Sequence, residues 1–429
     1  MATRHGDEIC PAARWVHRRP TIGPTMKNSI AVLFPLAATT MLAAQGAVIP
    51  TSLSPIVDSQ QLSPTTLGVV EVNSISAVHL MGDPAGTYYL GLTVRGLSSA
   101  RGGVGGLDLL TGRYDRVSGT FVEDGAAAAL NTASDQFAMS VHASGLLAVT
   151  DDYATGTVQL AQRASVGQPF TVAGAIVGLT PQGYYDPALA TIDGQLHLLA
   201  TFGNDIAALP LDAATRTVGA PRVIARVTTA GRTANSAQPI VDGNGDMVGL
   251  SFHELESFAF TDNDQWIAAD LDPATPALRV VDSNEFFSNG AYVGGHYIAA
   301  LSDSAGYRLV EYPVVWCTGG RARTGTTMSV LAFAPPRLMG SWLTSLLLSG
   351  SFITPVSLPF AAGSLGVDPT ALVTVTMPGN GFTSGEAVLQ IPVPNVASLR
   401  GRSVPAQTIA YAIGTTTVAF GNTCALTVQ

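Results

Sequence analysis

The segment Asp242-Gly243-Asn244-Gly245-Asp246 alternates oxygen donors, and its first, third and fifth residues could converge on Ca²⁺. Its sixth residue is Met247 rather than Gly and its twelfth is His253 rather than Glu, so the calcium-loop pattern is incomplete. The same five residues equally suit a hairpin turn, which gives Asp242, Asn244 and Asp246 two readings, metal set or polar turn. A second group, Asp135, Tyr185, Asp186, Gln238, Phe287 and Asn289, combines hydrogen-bonding side chains with aromatic faces. That mixture suits a polar ligand such as a glycan, whose rings stack on Tyr185 and Phe287 while carboxylate and amide groups bind its hydroxyls. Asp186 precedes Pro187, and an Asp there also shapes turns by bonding local backbone.

Other chemistry is absent from the pattern. Past the N-terminal region the histidines are His79, His142, His197, His253 and His296, and their unequal offsets from the recurring turns argue against a metal ring. No Gly-x-Ser-x-Gly elbow or zinc signature occurs, and Gly102-Gly103-Val104-Gly105-Gly106 lacks the following helix that a nucleotide loop needs. Lys27 is the only lysine, and the net charge is −9, so no basic surface for phosphate backbones is expected and nucleic acid is not a partner.

The elements that must position these residues are strands. Ala85-Gly86, Ser144-Gly145, Asp193-Gly194, Asn244-Gly245 and Gly294-Gly295 interrupt apolar, alternating stretches, with glycines 59, 49, 51 and 50 residues apart. Asp-Gly, Asn-Gly and Gly-Gly between such runs signal type I′ hairpins. A period near fifty in an all-β chain predicts a five-bladed β-propeller over residues 60–316, each blade a four-stranded sheet. Leu67 to Val72 is strand-like and is expected to close the ring by pairing into the last blade, because an open edge is sticky. After Trp316, short apolar runs among Gly, Thr, Ser and Pro predict a small antiparallel β-sandwich over 322–429.

The composition, 47% hydrophobic and 12% charged, supports a large core. Residues 26–46 have signal-peptide layout: Lys27, an apolar run from Ile30 to Leu42, then small residues, with cleavage expected near Gly46. That run is shorter than the ~20 residues a membrane span needs, so no span is expected in the mature chain, which would be secreted or held at the cell surface. Residues 1–25 read as an upstream extension. Cys317 and Cys424 are expected to form a disulfide stapling the two ends of the C-terminal domain, the alternative being two buried thiols.

The propeller, by blade number and by Tyr185-Asp186-Pro187-Ala188, resembles the five-bladed glycosidases of the arabinanase and fructosidase families. The resemblance implies carboxylates from separate blades acting as base or nucleophile, pKa-tuning Asp and acid Glu. Asp186 matches the middle Asp. Gln238, in Asn235-Ser236-Ala237-Gln238-Pro239, stands where the acid Glu would be, and an amide cannot supply that proton. Asp135 is the one other carboxylate in such a position. The segments Cys317-Thr318-Gly319-Gly320, Gly385 to Asn395, Ser398-Leu399-Arg400-Gly401 and Phe420-Gly421-Asn422-Thr423 resemble the Ig-like C-terminal module of exported bacterial proteins, which implies location rather than activity. The sequence therefore points to an exported, non-catalytic binding protein with no required cofactor. A divergent glycoside hydrolase or lyase, or an adhesive scaffold, are the alternatives.

Overall fold

The computed structural model describes residues 62–429 apart from 85, 116–117, 153–154, 180–186, 228–230, 257–262, 269, 274–276, 282–285, 288–289, 294–295, 304–305, 314–315, 318, 334–341, 359–360, 363, 377–385 and 413–417. The chain is all-β, a five-bladed propeller followed by a β-sandwich. Blade one comprises β1 (Glu71–Val78), β2 (Thr87–Arg95), β3 (Leu107–Asp115) and β4 (Thr120–Glu123). Blade two comprises β5 (Gln136–Val141), β6 (Leu147–Asp152), β7 (Thr157–Gln162) and β8 (Thr171–Ala175). Blade three holds β9 (Ala188–Ile192), β10 (Gln195–Phe202), β11 (Asp205–Asp212), β12 (Thr217–Val218) and β13 (Arg222–Arg226). Blade four holds β14 (Arg232–Val241), β15 (Met247–Glu256), β16 (Asn263–Ala268) and β17 (Leu278–Val281). In blade five, β18 (Phe286–Phe287) and β19 (Ala291–Val293) pair in turn with β20 (His296–Asp303), which also pairs with β21 (Gly306–Pro313).

A blade cannot bury both faces alone, and each seam is accordingly a core of its own. Val78, Tyr89 and Leu109 meet Met139, Val141 and Phe170 between blades one and two. Val149 and Leu160 meet Leu189 and Leu198 at the next seam, and Ala190 and Leu199 meet Leu250 and Phe252 at the third. Ile240 and Ile267 meet Tyr292 and Ala299 between blades four and five, in a cluster that continues into the sandwich. The ring closes where Ala291, Val293 and Ile298 of blade five join Leu62, Leu67, Val72 and Leu92.

That closure departs from the expected strand exchange. Pro64–Leu67 is a short helix capped by Ser63, whose hydroxyl accepts from the Thr66 N–H, and ended by Gly68 at φ 63°. Beyond it the Val70 N–H bonds to the Arg95 carbonyl and β1 begins, so Leu67 to Val72 runs into blade one. Buried side chains close the ring instead, and the described strands of blade five include no partner from the N-terminal side.

The hairpin turns also differ in detail. Positive φ at both central residues, as a type I′ turn requires, occurs at Asp193 (53°) and Gly194 (75°). In the Ser144-Gly145 and Asn244-Gly245 turns only the glycine is positive, and the loop is wider, with Gly145 N–H bonding to His142 O and Gly245 N–H to Asp242 O. These turns interlock at one end of the axis. Met81 N–H bonds to Ala143 O, His142 Nε2 lies 2.8 Å from Thr191 Oγ1, and Thr191 bridges Asp246.

The sandwich pairs β22 (Trp316–Cys317), β24 (Thr327–Phe333) and β30 (Glu386–Pro392) in one sheet. Its other sheet runs β23 (Gly320–Ala322), β32 (Val418–Val428), β31 (Ser403–Ala412), β25 (Trp342–Leu348), β29 (Val373–Thr376), with β27 (Ala361–Ala362) also on β32. A ribbon of β26 (Phe352–Ser357) and β28 (Ser364–Val367) adjoins them. Pairing is antiparallel except that β23 and β27 run parallel to β32. Among the described residues no helix is long and apolar enough to cross a membrane.

Candidate functional site

The strands β1, β5, β9, β14 and β19 are neighbours around the axis. Among the described residues, three inner edges slip register by one residue. Between Val72 and Ser74 of β1, Gln136 and Met139 of β5, and Asn235 and Gln238 of β14, the inner strand advances one residue more than its partner. These bulges precede the interlocked turns in each strand and so lie toward the opposite end of the axis. A bulge turns backbone and side chains out of the ladder, a device found next to binding sites. At blade four it places Ser236, a non-glycine, at φ 52°, with its N–H held by Asn235 Oδ1.

The bulge of blade two frees a carbonyl that its neighbour satisfies. Phe137 O accepts from Ser74 Oγ at 3.0 Å and from Thr93 Oγ1 at 2.7 Å, and Ser76 Oγ donates to Met139 O. Thr93, Thr150 and Ser251 hold equivalent places, each opposite the first inner-strand residue after its bulge, and all three are buried. Sequence reasoning missed them. A hydroxyl residue after an apolar run in the second strand of a blade was the available signal.

Of the ligand candidates, Asp135 is half-buried and already engaged, since its Oδ1 accepts the Leu107 N–H at 2.8 Å. It anchors the loop between β2 and β3. Gln238 lies in β14 directly across from Ser251, 3% exposed, and its Oε1 has no hydrogen-bond partner. Phe287 belongs to β18. Tyr185, Asp186 and Asn289 lie outside the described residues, so the six are not brought together on what is described.

The metal candidates sit at the other end, in the interlocked turns. Asp242 Oδ1 accepts from Asn244 N–H at 2.9 Å and Asp246 N–H at 3.0 Å, and Oδ2 from Asn244 Nδ2 at 3.3 Å. Its carboxylate thus organises the turn itself. Burial, then the neighbouring Asp242 charge, raises the pKa of Asp246. Among the described residues no group of three or more His, Cys, Asp or Glu side chains is arranged to hold a metal.

Blade four carries the most unusual titratable group. His253 is 3% exposed, neither ring nitrogen has a hydrogen-bond partner, and burial pushes its pKa down to about 3. The unfolded chain, with an ordinary His near 6.5, binds a proton that the folded chain refuses, so stability falls as pH drops below about 6.5. Between pH 7 and pH 5 this group is expected to cost about 2 kcal/mol. Denaturant melts of the full chain at both pH values check it, with His253→Leu expected to flatten the slope; an unchanged slope would contradict the neutral buried imidazole.

No protein-family model matches the chain, and no curated protein matches it. Solved structures of similar shape include a Parabacteroides distasonis protein assigned as a glycoside hydrolase, at TM-score 0.35 and 10% identity, covering 63% of this chain and 97% of that one. A luciferin-regenerating enzyme matches at 0.31 and 11%, covering 56% and 77%, and a regucalcin from Agrobacterium tumefaciens at 0.28 and 14%, covering 57% and 95%. At these scores the likenesses carry nothing about activity.

Proposed function

We propose that the chain is an exported binding protein whose propeller takes a neutral glycan at the bulged end of its axis, without catalysing a reaction on it. The observation that carries this reading is the bulged edge of blade four, where Ser236 at positive φ adjoins the buried amide of Gln238. Non-glycine strain of this kind persists where the surrounding structure enforces it, as at ligand sites. The carboxylate of Asp135 is committed to backbone, which suits binding better than proton transfer. Purified mature chain, beginning after Gly46, is expected to retain neutral oligosaccharides on a glycan array. An array without any bound glycan would leave the adhesive scaffold as the better reading, and cleavage of a bound glycan would favour the divergent glycoside hydrolase.

Export would also permit a bond between Cys317 and Cys424. Among the described residues no disulfide is formed; what supports the bond is that β22, which carries Cys317, packs on β32, which carries the buried Cys424. Two cysteines linked in this way would tie one sheet of the sandwich to the other. Alkylation of the denatured but unreduced chain is expected to label neither cysteine. Labelling of both would remove the bond.

A further inference from the structure

Four buried polar atoms without partners meet on one face of blade four. Ser251 and His253 alternate along β15 and so share a face, and Gln238 lies directly across from Ser251 on β14. Leu250 and Phe252, on the other face, enter the core with blade three. Ile267, the partner of Ser251 on β16, enters the core with Tyr292 and Ala299, so the polar face looks toward blade five. Gln238 Oε1, Ser251 Oγ, and His253 Nδ1 and Nε2 all lack hydrogen-bond partners, and the three residues are 3%, 0% and 3% exposed.

Native interiors leave few such atoms unbonded, and a run of them on one face implies a guest rather than a series of accidents. Its chemistry follows from the groups. A neutral imidazole offers one donor and one acceptor, a hydroxyl offers both, and the amide oxygen accepts, so nothing in the set favours an anion or a cation. We propose that this face of blade four is an internal site for neutral hydroxyl oxygens, taken by ordered water or by a hydroxyl of a bound neutral sugar. The sugar source rests on the function proposed above; the water source does not.

The test is the thermal midpoint of the full chain against Ser251→Ala, with a crystal structure of the unliganded protein and the His253 ring-nitrogen resonances followed during titration with a neutral hexose. An occupied site loses hydrogen bonds on this substitution, and the midpoint is expected to fall by about 2–4 °C. Ordered oxygens on the four atoms in the crystal, with ring resonances indifferent to hexose, would assign water. Resonances that shift with hexose in the native chain and not in Ser251→Ala would assign the sugar hydroxyl. A midpoint unchanged or raised by Ser251→Ala, together with an empty face in the crystal, would overturn the site, whatever the glycan array shows.

Discussion

Replacing Gly91 with alanine is expected to destabilise the full chain by about 2–3 kcal/mol, lowering its thermal midpoint by about 5–10 °C. A Cβ at this position would lie 2.5 Å from the Met139 carbonyl oxygen and 2.7 Å from Ser76 Oγ. The first of these is backbone of the neighbouring blade and cannot rotate away. Gly91 is needed for close approach, so that β5 can lie against β2 and its bulged carbonyls can meet Ser74, Ser76 and Thr93. Gly243→Ala is the matched control, because a Cβ there meets nothing within 4 Å, and its effect should be within about 0.5 kcal/mol. Equal losses for the two variants would show that inter-blade contact is not what Gly91 serves.

The second large effect is expected at the same seam. The Arg163 side chain is fully buried, its guanidinium 4.2 Å from the Phe170 ring centroid and 5.1 Å from that of Tyr89. It donates to Gly145 O, to Tyr89 Oη at 3.2 Å and to Gln168 O at 3.4 Å, and lies 3.7 Å from Asp124 Oδ2. Tyr89 in turn donates to Asp124 at 2.6 Å, and burial first, then that carboxylate, raises the tyrosine pKa beyond its ordinary range. The cluster joins β2, the residue after β4 and the turn of blade two. Arg163→Met is expected to cost about 3–5 kcal/mol, because Asp124 keeps its charge and loses its cation. Arg163→Lys should recover little, since an ammonium cannot reproduce the planar fork that reaches several acceptors between two rings. Chemical denaturation of both variants checks this; a lysine variant as stable as the native chain would reduce the cluster to a point charge.

Much of the architecture was legible in the sequence, and the limits are physical. The near-fifty-residue spacing of turn glycines reflects blade repetition, because each blade must return to the axis. The runs Gln195 to Ala200 and Ile206 to Leu211, after the Asp193-Gly194 turn, read as strands from the sequence and lie within Gln195–Phe202 and Asp205–Asp212. The segment before β1 was misread because an apolar run resembles a strand, although Ser63-Pro64 and Gly68 are the cap, first-turn and terminating residues of a helix. Asn244-Gly245 was misread as type I′ because Asp242 folds a wider turn around its own carboxylate. The bulges were invisible, since an extra residue in an inner strand leaves the apolar pattern nearly intact and is revealed only by its partner's register. The site was legible at Gln238 as an amide, while Ser251 and His253 gained meaning only once pairing set all three on one face.

Calorimetric titration of the mature chain with neutral and acidic sugars tests the neutral polar binding face of the propeller. Neutral oligosaccharides retained on an array should give saturable heat that their uronic-acid counterparts of equal length do not, and Gln238→Ala should weaken that binding by about tenfold, the equivalent of one well-formed hydrogen bond. Binding that prefers the acidic sugars, or that is indifferent to Gln238, would contradict it.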